Sequence, residues 1–260
     1  LQNNPELPTL PGSAYQIMQM ALDPDVSLND MANVIMKDVA LSTRILKVVN
    51  SSYLSLAKDI SSISQAVVIL GLNMVKNVAL SLSVMDSLKS YLDKDNYEFL
   101  INRSINMAVA AEAIAKETKV CHGEDAFLVG LLQELGLLML AHLAPELFME
   151  MNEEAKERAI DVTTTIRETI HVDVNEYGWE IAKEWGLPEN VCKAIKYHSS
   201  VEQAIEDKVP EDNIGLIKVG YLSSLAAEIF TGWGKSLNIS KFKSGYETYL
   251  GKTKEDAELM

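Results

Sequence analysis

Residues 126–144 read AFLVGLLQELGLLMLAHLA, and this almost uninterrupted apolar stretch decides how the rest of the chain must fold. Its length is close to that of a helix that spans a lipid bilayer. Gln133 and Glu134 lie at its centre, however, and a carboxylate is costly inside the hydrocarbon layer. The apolar residues cover every side of a helix, which is typical of a helix enclosed by protein. We therefore predict that Ala126 to Leu143 forms the most buried helix of its subdomain.

Outside this stretch, apolar residues recur at spacings of three and four, and alternating runs of β-branched residues are hard to find. An early helix is expected to open at Pro11-Gly12-Ser13. Capping boxes, in which side chains satisfy free backbone N–H groups of the first turn, mark further helix starts. They are Ser27 with Asp30, Ser62 with Gln65, and Asp173 with Glu176. The sequence therefore predicts an all-α protein.

The polar run Asp93-Lys94-Asp95-Asn96 is the best candidate for a boundary between subdomains. We expect an N-terminal helical subdomain at residues 1–92 and a second helical subdomain at residues 93–232. A Lys/Glu-rich C-terminal extension follows at residues 233–260. No fixed-period repeat is visible in the sequence, so a solenoid is not expected.

The chain has 260 residues, of which 48% are hydrophobic, a composition typical of folded globular proteins. Its net charge of −14 repels phosphate backbones and anionic lipid, so we expect neither nucleic acid nor a membrane as partner. Cys121 and Cys192 form no Cys-x-x-Cys pair, which indicates reduced thiols in a cytoplasmic protein. The N-terminus lacks the basic stretch and apolar run of a signal peptide.

Several separate segments form a recognisable series along the chain. In the first half they are Leu7-Pro8-Thr9-Leu10-Pro11, Asp38-Val39-Ala40-Leu41, Arg44 to Ser51, and Ser62 to Gly71. In the second half they are Gly130 to Gly136 and Gly178 to His198. In this order they resemble the HDOD domain, a bacterial signalling module related to the HD metal-dependent phosphohydrolases. The resemblance implies an N-terminal helical subdomain packed on an HD-domain-like helical subdomain.

An HD-type hydrolase needs imidazoles and carboxylates that converge on one or two cations, because the cations bind phosphate and activate a water molecule. The resemblance places Arg103 where such proteins often have a first histidine ligand, and Gln133-Glu134 in place of the His-Asp pair. Val174 stands for another histidine, whereas His198 remains. One glutamate and one imidazole are too few ligands. The resemblance therefore implies a degenerate site with no metal, no cofactor and no catalytic residue.

The degenerate pocket, defined as Arg103, Gln133, Glu134 and His198, is a candidate site for a ligand or partner. Because Arg103 and Glu134 align with two ligands of one metal, we predict that their side chains form an ion pair with two hydrogen bonds. Two simpler interpretations remain open. Glu134 is a buried acid that needs a basic partner whatever the function, and His198 donates to carbonyl groups at a helix end.

A second polar group, Asp38, Arg44, Asn50 and Ser51, lies where the N-terminal half is closest to the HDOD pattern. In one interpretation, Asp38 caps a helix, and Asn50 and Ser51 satisfy the end of that same helix. In the other, the group contacts a small molecule or a protein partner at the seam between the subdomains.

We therefore expect a non-catalytic signal-transduction or regulatory module that acts through protein partners or a sensed ligand. HDOD modules often accompany receiver or cyclic-dinucleotide domains, so the resemblance implies signalling proteins as partners. The alternative is a metal-dependent HD-type phosphohydrolase that acts on a nucleotide or cyclic dinucleotide. Bound metal together with turnover would identify the alternative.

Overall fold

The structure, a computed structural model, describes residues 16–17, 19–20, 26–50, 60–89, 94–158, 160–231 and 235–259. Within these ranges all regular secondary structure is helical, which confirms the predicted fold class. The helix expected at Pro11-Gly12-Ser13 has its start outside the described residues. The chain forms two compact units, Leu1–Ser90 and Tyr91–Met260, and the boundary between them in the sequence lies close to the polar run at 93–96.

The first unit contains four described helices, each of which packs against the other three. They are α1 (Leu28–Lys37), α2 (Val39–Val49), α3 (Ile63–Leu70) and α4 (Leu72–Lys89). The predicted caps are present, because Ser27 Oγ accepts a hydrogen bond from the N–H of Asp30 and Ser62 Oγ accepts one from the N–H of Gln65. These caps set where α1 and α3 begin.

The second unit begins with the long helix α5 (Lys94–Thr118), against which α6 and α13 pack. The helices that follow are α6 (Gly123–Leu132), α7 (Leu135–Leu143), α8 (Pro145–Arg158), α9 (Val162–Ile170), α10 (Val174–Glu184), α11 (Glu189–Tyr197), α12 (Val201–Glu206), α13 (Glu211–Thr231), α14 (Lys235–Leu250) and α15 (Lys254–Leu259). The carboxylate of Asp173 accepts hydrogen bonds from the N–H groups of Asn175 and Glu176 at the start of α10, as predicted.

The single central helix predicted for residues 126–143 is wrong in one respect, because the helix is interrupted. Gln133 ends α6, and the backbone of Glu134 leaves the helical region with φ −95° and ψ 22° before α7 begins. This conformation lies in a sparsely populated region of φ/ψ space. The prediction of burial is confirmed, since 89% of the most apolar 18-residue stretch within residues 123–143 is buried inside the protein.

Two glycines let helices approach this broken helix more closely than any other residue would allow. A Cβ atom at Gly130 would lie 2.4 Å from the Cα of Ala108 in α5. A Cβ atom at Gly136 would lie 1.7 Å from the carbonyl oxygen of Val174 in α10. These close approaches hold α5 against α6 and α10 against α7, on the two sides of the break at Glu134.

The described part of the C-terminal extension predicted at residues 233–260 contains α14 and α15 and lies within the second unit. Helix α14 packs on α13 through aromatic side chains, with the ring of Tyr249 edge-on to that of Tyr221 at 5.5 Å. Tyr246 is fully buried. The C-terminal helices therefore bring additional side chains to the region around α13.

Candidate functional site

The candidate site is built around Arg103, a buried residue of α5. Its Nε–H group lies 2.8 Å and 2.9 Å from the two carboxylate oxygens of Glu134, at the break between α6 and α7. The predicted meeting of these side chains is confirmed. The predicted pair of parallel hydrogen bonds is not formed, because the single Nε–H is shared by both oxygens of Glu134. The guanidinium also contacts a second carboxylate.

That second carboxylate belongs to Glu228 in α13. It accepts a hydrogen bond from Nη2 of Arg103 at 3.3 Å and another from Nδ2 of Asn238 in α14 at 2.8 Å. Burial opposes the charge of Arg103, but attraction to Glu134 and Glu228 outweighs it and raises the pKa of the guanidinium above its ordinary value. Burial raises the pKa of Glu228, and the attraction of Arg103 offsets this only in part.

Asp161 supplies a third carboxylate at the N-cap of α9. It accepts a hydrogen bond from the backbone N–H of Thr164 at 2.9 Å, and the hydroxyl groups of Thr163 and Thr164 donate to it as well. Burial alone raises the pKa of this carboxyl, but the three hydrogen bonds favour its charged form and lower the pKa overall. Asp161 is therefore held as an anion near Arg103.

His198, at the C-cap of α11, is 3% exposed. Its Nδ1 lies 2.9 Å from the carbonyl oxygen of Ile195, and Nδ1 must carry the hydrogen because a carbonyl oxygen only accepts. This is the helix-end contact that the simpler interpretation predicted. Burial lowers the pKa of the imidazole although Glu134 and Asp161 attract its charged form. The ring is therefore neutral near pH 7, and Nε2 is a hydrogen-bond acceptor.

These side chains line a cavity of about 360 Å³ within the second unit. Its inner part, which we call the floor, holds the buried side chains of Glu134, Glu228, Arg103 and His198 together with the half-buried carboxylate of Asp161. Its exposed part, the rim, carries Lys156 from α8 and Lys241 from α14. Hydroxyl groups also line the cavity, from Thr163, Thr164, Ser199, Tyr221 and Ser224. Negative charge predominates at the floor and positive charge at the rim.

Gln133, predicted as a fourth member of the pocket, lies elsewhere. Its side chain is buried between α5 and α13, where Nε2 donates to Met107 Sδ at 3.0 Å and to Ser223 Oγ at 3.3 Å. Glu134 instead bonds to Arg103, so the two neighbouring side chains have different surroundings on either side of the helix break. Val174, which the resemblance aligned with a histidine, is buried at the start of α10.

The second polar group lies in the first unit. Asp38 caps α2, because its carboxylate accepts a hydrogen bond from the N–H of Leu41 at 2.9 Å. The backbone N–H of Asn50 donates to the carbonyl oxygen of Leu46 at the end of the same helix, but the side chain of Asn50 does not bond there. It pairs instead with the backbone of Ile60, donating to the carbonyl oxygen and accepting from the N–H, both at 2.7 Å. Arg44 is half-buried in α2, and Ser51 lies outside the described residues. A ligand or partner contact at this group stays a prediction.

Sequence reasoning missed most of the cavity lining, including Asp161, Glu228, Asn238 and Lys241. Asp161 had a detectable signal, since an aspartate three residues before Thr164 fits the N-cap pattern. Glu228 had none, because it is 125 residues from Arg103 in sequence and belongs to no segment of the recognised series. The cavity is therefore completed by helices that the motifs do not include.

The residues present do not fit a metal site of the HD type. Across the ranges that the structure describes, no group of three or more histidine, cysteine, aspartate or glutamate side chains is arranged to hold a metal ion. Arg103, which has no lone pair to offer a metal, lies against two of the three carboxylates. The arrangement suits charge pairing and hydrogen bonding to a molecule in the cavity.

The chain resembles known proteins along most of its length. The HDOD domain model matches residues 7–201. An uncharacterized protein of Treponema pallidum (strain Nichols) is 32% identical over 212 residues, which cover 79% of this chain and 40% of that protein. The cyclic di-GMP phosphodiesterase CdgJ of Vibrio cholerae is 29% identical over 156 residues, which cover 60% of this chain and 34% of CdgJ. The chain therefore spans less than half the length of either relative.

A crystal structure of an HDOD domain protein from Geobacter sulfurreducens matches with a TM-score of 0.71 and 26% identity, and the match covers 87% of this chain and 74% of that one. The helical architecture and the sequence match thus agree. The chain belongs to the HDOD domain family, a signal-transduction family related to the HD phosphohydrolases.

Proposed function

We propose that this HDOD chain is a non-catalytic signal-transduction module whose former metal site is held together by protein charges. The observation that carries the proposal is the buried contact of Arg103 with both Glu134 and Glu228. The guanidinium supplies at this position the positive charge that a cation would supply in an HD hydrolase. It stabilises the carboxylates without a metal.

An arginine cannot replace the chemical action of the metal. A divalent cation lowers the pKa of a bound water and so generates a nucleophile near neutral pH. A guanidinium binds no water as a ligand, and its raised pKa keeps it protonated, so it cannot accept a proton as a general base. The cavity is therefore suited to recognition and not to hydrolysis.

As a signalling module, the chain would act through a protein partner or through a ligand that occupies the cavity. The family resemblance favours receiver or cyclic-dinucleotide domains as partners and a cytoplasmic location. The cavity of about 360 Å³ falls in the range of small-molecule sites, roughly 300–1,000 Å³. Binding in such a site can change the stability or position of the surrounding helices, and a partner can detect that change.

The alternative is a phosphohydrolase that acts on a nucleotide or cyclic dinucleotide. The resemblance to CdgJ, a cyclic di-GMP phosphodiesterase, is the observation in its favour. The aligned residues make up 34% of CdgJ, so the activity in that name belongs to a much longer protein. The side chains around Arg103, which pair with its guanidinium, support the non-catalytic function instead.

The test is to incubate the purified chain with Mn²⁺, Fe²⁺, Ni²⁺ or Zn²⁺, remove free metal, and measure bound metal by elemental analysis. Hydrolysis of cyclic di-GMP and of bis(p-nitrophenyl) phosphate is measured on the same samples. We expect neither stoichiometric metal nor turnover. Retained metal together with turnover, both lost in Glu134→Gln, would establish the alternative. Metal that Glu134→Gln retains equally would be bound elsewhere.

A further inference from the structure

The floor of the cavity has more negative than positive charge. Three carboxylates, from Glu134, Asp161 and Glu228, face the single guanidinium of Arg103, and His198 is neutral. Each ionised carboxylate has about four lone-pair sites for hydrogen bonds. Asp161 accepts three hydrogen bonds, so acceptor capacity remains at the floor. A positively charged group with N–H donors would complement this part of the cavity.

His198 gives a second and independent indication of the same ligand group. Its Nδ1–H is fixed on the carbonyl oxygen of Ile195, which leaves Nε2 with an acceptor lone pair. No side chain or backbone group among the described residues donates to Nε2. The imidazole lines the cavity and Nε2 is accessible from it, so a donor placed in the cavity can reach this atom. A ligand N–H would fill this position.

The rim has the opposite charge. Lys156 and Lys241 line the cavity and are exposed, and Lys241 forms no ion pair with any described residue. Lys156 also pairs with Glu153 on its own helix, so Lys241 is the cation more available to a ligand. A plain amine would meet both the attractive floor and these repulsive lysines. A plain anion would meet the lysines but also three carboxylates.

We propose that the cavity binds a free α-amino acid, with its ammonium group at the floor and its carboxylate at the rim. This inference rests on the proposed function, because it identifies the ligand that the non-catalytic module would sense. A zwitterion matches both ends of the cavity, which neither a simple amine nor a simple anion does. The ammonium donates to Glu228, Asp161 and Nε2 of His198, and the carboxylate pairs with Lys241.

The first test uses the unmodified protein. Each common protein L-amino acid is screened by thermal shift, and those that stabilise the chain are titrated by calorimetry. For each amino acid that binds, the N-acetyl derivative removes the ammonium charge and the methyl ester removes the carboxylate charge. We expect one-to-one binding of at least one amino acid and loss of at least about tenfold in affinity for its N-acetyl derivative.

Variants then locate the site. Glu228→Gln should weaken amino-acid binding at least about tenfold, since it removes a charged acceptor at the floor. Lys241→Met should weaken amino-acid binding about two- to fivefold, because the lysine charge attracts the ligand carboxylate at an exposed position. It should leave the affinity of the methyl ester unchanged, because the ester has no carboxylate charge. Glu112→Gln is the matched control, because Glu112 in α5 is a buried acid like Glu228 but pairs with Lys116 away from the cavity. It should leave binding unchanged.

The inference is overturned if no amino acid binds, or if the N-acetyl derivative binds as tightly as its parent. Binding of inorganic phosphate or acetate in preference to amino acids would also overturn it, since the cavity would then select anions. The proposed function is judged separately by metal content and turnover. If the chain shows neither bound metal nor turnover and binds no amino acid, this inference is wrong and the proposed non-catalytic function is retained.

Discussion

Arg103 donates its Nε–H to both carboxylate oxygens of Glu134, at 2.8 Å and 2.9 Å, across 31 residues of sequence. Both side chains are buried. A buried ion pair adds little net stability over apolar residues of the same size, but loss of one partner leaves a buried charge without compensation. The pair therefore specifies the arrangement of α5 against the break between α6 and α7.

The first prediction concerns this pair. Arg103→Met should destabilise the chain by about 3–5 kcal/mol, because Glu134 and Glu228 both lose their cation. Glu134→Gln should lower the free energy of unfolding much less in the Arg103→Met variant than in the wild type. The free energies of unfolding of both single variants and the double variant, measured by denaturant, give the coupling.

The control for this cycle is Lys193→Met, which breaks the pair of Lys193 with Glu189 and leaves behind a glutamate side chain that is 81% exposed. It should cost less than about 1 kcal/mol. Costs for Arg103→Met and Glu134→Gln that simply add would show that the two side chains are not energetically coupled.

The second prediction concerns the contact of α7 with α10. Gly136→Ala should destabilise the second unit by about 2 kcal/mol or more, because the new methyl would lie 1.7 Å from the carbonyl oxygen of Val174 and backbone must shift. Gly123→Ala is the matched substitution at the start of α6, where the nearest atoms would be at 3.5 Å. It should be neutral or mildly stabilising. Thermal unfolding followed by circular dichroism measures both, and equal melting temperatures would contradict the close approach.

The third prediction is that Leu132→Asp unfolds the second unit. Leu132 is fully buried, and an unpaired charge at such a position costs at least several kcal/mol. Met149→Asp, at a residue that is 54% exposed, should fold normally. The far-ultraviolet circular dichroism and the solubility of the two variants are compared. A folded Leu132→Asp protein with an unchanged melting temperature would refute the buried position of α6.

The fourth prediction concerns pH. Burial lowers the pKa of His198 in the folded chain, so the unfolded chain binds a proton at higher pH than the folded chain does. Stability that depends on neutral His198 is therefore present above about pH 6.5, the pKa of an unfolded histidine, and is lost as pH falls towards the folded pKa. The stability advantage of wild type over His198→Gln should shrink across that interval, by at most about 1.4 kcal/mol per pH unit.

Denaturant titrations of both proteins over this pH range measure the effect. His122→Gln controls for the removal of an imidazole, since His122 is exposed and makes no side-chain capping bond. An advantage that stays constant would show that folding does not shift the pKa of His198, and one that grows in acid would show that folding raises it.

The fold could be predicted because its determinants are local. Helical spacing and caps such as Ser27, Ser62 and Asp173 specify helix starts from a few neighbouring residues. The break at Glu134 was missed because its cause is not local. Apart from Gln133, Glu134 and His142, residues 126–144 are apolar or glycine, and the departure from helical backbone coincides with a side chain that is held by Arg103 on another helix.

Site residues could be predicted from the sequence only at positions that align with the family pattern. Arg103, Glu134 and His198 fall on aligned positions, and all three line the cavity. Gln133 does not, because it is one residue from Glu134 and faces the contact of α5 with α13. Glu228, Asn238 and Lys241 come from helices that only tertiary packing brings to the cavity. The charge difference between floor and rim could not be read from the sequence for the same reason.

The most direct test of the central claim is a crystal structure of the chain grown with excess Mn²⁺, with anomalous scattering used to locate the metal. We expect that the guanidinium of Arg103 remains on Glu134 and Glu228 and that no anomalous peak lies among these carboxylates and His198. A manganese peak coordinated by Glu134, with Arg103 displaced, would contradict it.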